Sequence, residues 1–173
     1  LCQPVSTVKI VSAKLCCASL IACIGVLLTL SLTTFSVGFI DLTKIGASFS
    51  LDAFTISALI LLLLPICFFA SALQLFVAFQ SKNFKEAQSM VSMIIMLPAM
   101  VPVVMMFVDD KPKWLDWLPI SGQSLIMEDL FKGLPVSWAL IGFTSLVTIS
   151  MTIILVLLMA KKLRSETVVL ALS

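Results

Sequence analysis

Four long stretches of this chain contain no charged side chain at all: 15–40, 53–81, 87–108 and 133–160. Each reaches the roughly 20 residues a helix needs to cross the hydrocarbon core of a bilayer. A soluble fold built from 61% hydrophobic and 12% charged residues would leave a large apolar surface in water, so this composition calls for lipid as its solvent. Strands are excluded by pattern. A barrel strand alternates apolar and polar residues over about ten positions, whereas 59–64 and 151–159 are almost continuously apolar.

The sequence therefore reads as an all-α polytopic membrane bundle with spans at 15–40, 53–80, 88–108 and 136–160. Connections fall at 41–52, 81–87 and 109–135, with end segments at 1–14 and 161–173. The chain opens at Leu1 without an initiator Met, and its first span has no signal-type cleavage site, which reads as a piece of a longer protein.

Lysine and arginine near span ends stay on the cytoplasmic side far more often than acidic residues do. With the N-terminus inside, the inner segments hold Lys9, Lys14, Lys82, Lys85, Lys161, Lys162 and Arg164 against Glu86 and Glu166. The outer segments hold Asp41, Asp52, Asp109, Asp110, Asp116, Glu128 and Asp129 against Lys44, Lys111, Lys113 and Lys132. That bias predicts both ends in the cytoplasm of a plasma (inner) membrane protein. Trp114, Trp117 and Trp138 fall at the outer ends of spans, where an indole prefers the headgroup level.

No acidic residue lies inside a span, there is no His and no CxxC, and no GxxxxGK[ST] loop is present to cradle a nucleotide. These absences argue against an intramembrane hydrolase, so the expectation is a non-enzyme with no cofactor of its own and no nucleic-acid partner. Cys2, Cys16, Cys17, Cys23 and Cys67 read as free thiols.

The polar features left inside the spans are few. Thr144, Thr148 and Thr152, with Ser145 beside them, form a stripe that either joins helices or lines a hydrophilic pathway. Ala18, Ala22, Gly25 and Thr29 form a small-residue ridge that reads as helix packing. Pro65, Pro98 and Pro102 free carbonyls at Leu61, Ile94 and Pro98, which either coordinate a cation or are satisfied by neighbouring hydroxyls or water. Gln74 needs a partner and is expected to face the bundle interior. Gln74, Pro65, Pro98, Pro102, Thr144 and Thr148 are thus the candidate pathway residues. Between Asp109 and Pro135, an apolar face of Met127, Leu130, Phe131 and Leu134 predicts a short interfacial or re-entrant helix, against the plainer reading of an ordinary loop.

Two inner segments carry a resemblance. Leu1 to Lys14, reading LCQPVSTVKIVSAK, resembles the segment after the second span of ATP-binding-cassette permeases of the sodium-efflux, NatB-like kind. Ser81, Lys82, Phe84, Lys85, Glu86, Ala87 and Gln88 resemble that family's KEAQ connection. Leu118, Pro119 and Ile120 resemble its turn before the last span, with Ser121 where many relatives carry Asn, and Arg164 with Glu166 resembles its ending. The resemblance covers essentially the whole chain and implies the C-terminal portion of a permease, its helices matching spans three to six. It implies a permease homodimer working with ATPase subunits that bind ATP, exporting sodium, another small cation or a toxic amphiphile. Gln3, Pro4, Val5, Ser6, Lys9, Lys82, Lys85 and Glu86 are then the candidate ATPase-coupling residues. An interfacial anchor around Val8, Ile10 and Val11 is the plainer reading of the first segment, and a non-transport membrane scaffold is the alternative for the whole.

Overall fold

The computed structural model describes residues 6–37, 39, 53–105, 107–108 and 112–172. Among these, every regular element is helical: α1 (Thr7–Val37), α2 (Ala53–Ala78), α3 (Phe84–Met105), a 3-10 turn (Lys113–Trp117), α4 (Ser121–Phe131) and α5 (Trp138–Leu172). Helices α1, α2, α3 and α5 are each long and apolar enough to cross a membrane. The protein is an all-α membrane-type bundle.

Helix α1 runs unbroken through Lys14, so the residues around Val8 to Val11 form its first turns rather than an element of their own. Helix α5 continues past 160 to Leu172. At 1.5 Å per residue the two are about 46 and 52 Å long, well beyond a hydrocarbon core of about 30 Å. Their surplus length carries Lys9, Lys161 and Lys162 out of the apolar layer. The outer connection 41–52 and the side chains of Arg164 and Glu166 lie outside the described residues.

Helix α2 is the centre of the bundle and packs against α1, α3, α4 and α5. Its Ala58, Leu59 and Leu62 form the core with Ile126 and Leu130 of α4 and Ile141 of α5. Helices α2 and α5 run parallel in a fixed register. The rings of Phe54 and Trp138 meet edge to face at 4.9 Å, and the Ser145 hydroxyl donates to the Leu61 carbonyl, each pair lying 84 positions apart. Extended along both helices, that register brings Lys161 and Lys162 level with Val77 and Ala78. Helix α1 runs the other way, because Lys14 Nζ sits 5.3 Å over the Phe79 ring at the far end of α2. Lys14, Lys161 and Lys162 thus gather at one end, and Trp138 lies at the other.

Helix α5 is turned inside out relative to a soluble helix. Thr144, Ser145, Thr148 and Thr152 are buried, while Phe143, Leu146, Ile149, Ile153 and Leu157 face outward. Small polar residues against the bundle and aliphatics against lipid is the arrangement that membrane packing favours. Helix α1 departs from its expected ridge. Its buried line is Val11, Leu15 and Ser19, whereas a Cβ added at Gly25 would meet nothing within 4 Å, and the exposed Thr29 hydroxyl donates to the Gly25 carbonyl.

The connection between α3 and α5 holds a short helix, α4, that folds back into the bundle. Ile126 and Leu130 of α4 pack at the level of Ala58 and Leu59, and Gln123, nearer its start, reaches the Leu62 carbonyl. Leu62 lies about 13 Å along α2 from Ala53 at the helical rise, so α4 starts deep and climbs outward. Its buried face is Ser121, Gly122, Gln123, Ile126 and Leu130. Phe131 and Leu134, expected on the apolar face, are exposed.

Candidate functional site

Pro65 has no N–H to offer the Leu61 carbonyl, and its ring crowds that turn. Helix α2 nevertheless continues through it, and neighbouring helices bring donors to this turn, the one at Leu61 O replacing the missing N–H. Ser145 of α5 donates to Leu61 O at 3.3 Å, and Gln123 Nε2 of α4 donates to Leu62 O at 3.4 Å. Three helices therefore meet at one polar node. Gln123 is wholly buried, and its Oε1 accepts the N–H of Ile120 at 3.3 Å.

Ile120 sits at the tip of the re-entrant segment with φ 71° and ψ −56°. Ser121 N–H donates to the Pro119 carbonyl at 2.9 Å, which closes a three-residue turn around Ile120. That turn is strained for any L-residue and most of all for a β-branched one, at a cost of about 1–3 kcal/mol. It persists because its groups are held: Gln123 takes the Ile120 N–H, and the Ser124 hydroxyl donates to the Ile120 carbonyl at 2.6 Å. Gly122 lets the strand of chain before the tip approach, since a Cβ there would overlap the Asp116 carbonyl.

The hydroxyl stripe is satisfied within its own helix. Thr144 donates to Leu140 and Ile141, Thr148 to Thr144, and Thr152 to Thr148. With these hydroxyls donating to their own backbone, Thr144 and Thr148 serve packing and present no row of free donors to a solute.

Along α3 the packing opens instead. A cavity of about 220 Å³ between α2 and α3 is lined by Gln74, Pro98 and Ile120 among apolar neighbours. A second, of about 360 Å³, runs between α3 and the segment Trp114 to Ser121 and again touches Ile120. A third, of about 520 Å³, lies between Pro102 and Met105 of α3 and Ser124, Met127, Glu128, Phe131 and Lys132 of α4. Ile120 is shared by the first two and Met105 by the last two, so they follow one another under α3 as an interrupted crevice of adjoining cavities. Its wall is apolar and its ends are polar: Gln74 at one, the Glu128–Lys132 pair at the other, with Nζ and Oε1 2.6 Å apart.

The expected pathway set thus divides. Gln74, Pro98 and Pro102 line the crevice, whereas Pro65, Thr144 and Thr148 line none of the three cavities and belong to the packed node. Gln74 is a correction: it is exposed on the α3 side and has no hydrogen-bond partner among the described residues, because the inward positions around it belong to Ser71, Ala72 and Val77. Ile120 and Gln123 were not singled out as site residues by composition. The signal for them is the run Ser121, Gly122, Gln123, Ser124, four small or polar residues opening an otherwise apolar helix just after Pro119.

At the basic end, Gln3, Pro4 and Val5 lie outside the described residues. The Ser6 carbonyl accepts the N–H groups of Lys9 and Ile10 at the start of α1, and Lys9 is exposed. In the α2–α3 turn, Asn83 Oδ1 accepts the Glu86 N–H at 2.9 Å while Glu86 Oε2 accepts the Lys82 N–H at 3.0 Å. Asn83 therefore caps α3, and Glu86 fixes the turn rather than standing free. Between the exposed Lys82 and Lys85 the Phe84 ring projects, 84% exposed.

Comparison with protein-family models, with curated proteins and with solved structures gave no match.

Proposed function

We propose that this chain is part of the permease of an ATP-driven exporter of the ATP-binding-cassette kind, acting as a pair of copies with ATP hydrolysed on separate subunits. The observation that carries the reading is the crevice under α3, polar at both ends and bordered by a strained re-entrant tip. Ligand sites in helical proteins lie between helices, and strained backbone concentrates where conformation must change. The apolar wall favours a toxic amphiphile over sodium or another small cation, since a bare cation would find only Gln74 and freed α3 carbonyls along most of its length. The basic end would face the cytoplasm of the plasma membrane, with Lys9, Lys82, Lys85 and the projecting Phe84 as the ATPase docking surface. An aromatic side chain framed by lysines suits a groove on a soluble partner.

The test is co-purification of the full-length protein with candidate ATPase subunits, comparing wild type with Lys9→Glu, Lys82→Glu, Lys85→Glu and Phe84→Ala. Retention by wild type and release by the variants is the expected result. The same exposed Phe84 would also serve a membrane scaffold. Failure of any ATPase to bind the intact protein would place that reading ahead of transport.

A further inference from the structure

We infer that the crevice under α3 is a binding site for a single-chain zwitterionic phospholipid, its headgroup at Glu128 and Lys132 and its alkyl chain running inward past Met105 to Ile120. The inference deepens the reading of the crevice as a substrate route, naming what the route takes.

Shape comes first. The outermost chamber holds about 520 Å³ and the next about 360 Å³, within the range of roughly 300–1,000 Å³ typical of small-molecule sites. From Lys132 back to Ile120 is about 18 Å at the helical rise, a run suited to one extended chain. Its walls are Met100, Val101, Val104 and Met105 of α3 with Met127, Leu115 and Leu118 opposite. Unbranched thioether side chains adapt to a flexible alkyl chain at little cost. Helix α3 carries Met90, Met93, Met96, Met100 and Met105, more than half of the nine methionines in the sequence.

Charge selects the headgroup. The mouth presents the Lys132 ammonium, the Glu128 carboxylate at 2.6 Å from it and the Ser124 hydroxyl, with Asp129 also acting on Lys132. A cationic amphiphile drawn to Glu128 displaces Lys132 and leaves its charge facing the ligand. An anionic one drawn to Lys132 meets the two carboxylates. A zwitterion opposes its phosphate to Lys132 and its ammonium to Glu128, so that both protein charges keep a counter-charge. One chain rather than two suits chambers that lie in single file, adjoining at Met105 and at Ile120.

The experiment is photolabelling of the full-length protein in nanodiscs, without nucleotide or ATPase, using lysophosphatidylcholine with a diazirine on its chain. Saturable labelling mapped to Met100–Met105 and to 114–127 is expected, with competition by unlabelled lysophosphatidylcholine but not by an alkyl sulfate or an alkyltrimethylammonium. Glu128→Gln with Lys132→Met, both near the outer end of α4, should weaken labelling about tenfold, the loss of one charged hydrogen bond. Label spread without saturation over the lipid-facing sides of α1 and α5 would overturn the site, and equal competition by all three amphiphiles would overturn the headgroup. Loss of labelling with transport intact sinks this inference alone; labelling without ATP-driven flux sinks the permease reading alone.

Discussion

Replacing Ser145 by Ala should destabilise the protein only while Pro65 is present. The Ser145 hydroxyl donates to the Leu61 carbonyl at 3.3 Å, and that carbonyl is unpaired in the helix because residue 65 has no N–H. Without the hydroxyl an acceptor is left unpaired between helices, which in soluble proteins costs about 1–3 kcal/mol. Interhelical hydrogen bonds in membrane bundles average nearer 0.6 kcal/mol, with a maximum of about 1.7. At 3.3 Å the bond is longer than the usual range of about 2.5–3.0 Å for O–H···O, so a cost of at most about 1 kcal/mol is expected for Ser145→Ala. In a Pro65→Ala background, residue 65 regains its N–H and pairs Leu61 O within α2, so the same substitution should cost close to nothing. The coupling between the two changes is then at most about 1 kcal/mol, up to twice the scatter of roughly 0.5 kcal/mol seen for independent sites. Reversible unfolding of the four proteins in mixed micelles of mild detergent and dodecyl sulfate, followed by circular dichroism, measures it. Equal costs of Ser145→Ala in both backgrounds would refute the claim that the hydroxyl substitutes for the missing proline donor.

Gly122→Ala forces a Cβ against the Asp116 carbonyl and should cost about 1–3 kcal/mol, with a shift in tryptophan emission as the Trp117–Phe143 ring contact at 4.9 Å is disturbed. Gln123→Leu releases both the Ile120 N–H and the Leu62 carbonyl; it should cost more in wild type than in an Ile120→Gly background, where the turn is no longer strained, as read by the same unfolding assay. Lys14→Met should lose about 0.5–1 kcal/mol through the cation–π contact with Phe79, and Phe79→Leu should remove the same increment without adding to it. The Glu128 carboxylate hydrogen-bonds Lys132 and holds its ammonium above the usual 10.5. The stabilisation from that pair is fully present below the ordinary lysine value and is lost as pH rises through the higher folded one. Glu128→Gln should bring the Lys132 titration, followed by NMR, back down.

The spans were legible because exclusion of charge over more than twenty residues is a one-dimensional property, and lipid enforces it on every outward position alike. Which side of a span turns inward was harder. On α5 the threonine stripe marked the buried face, since a hydroxyl bonded to its own backbone is small enough for close approach. On α1 the ridge of Ala18, Ala22, Gly25 and Thr29 is not the face that packs inside this bundle, because smallness permits close packing without fixing which neighbour takes it up. Gln74 misled for a related reason: a polar side chain in a span needs a polar surrounding, and a crevice opening toward α3 is as good a place for it as the core. The node at Pro65 depends on donors from residues 123 and 145, and no local pattern reports which distant side chain reaches a freed carbonyl.

The self-contained hydroxyls of α5 also bear on how the bundle is put together. Because Thr144, Thr148 and Thr152 donate to carbonyls of their own helix, this segment brings those groups into lipid already satisfied and can wait there alone. Helix α2 enters with an open carbonyl at Leu61, and the segment of Gln123 carries a buried amide. Neither finds its complement until the other two elements arrive. Joining α2 to α5 closes the bond at the Leu61 carbonyl, and docking of the α4 tip onto α2 closes the one at the Gln123 amide.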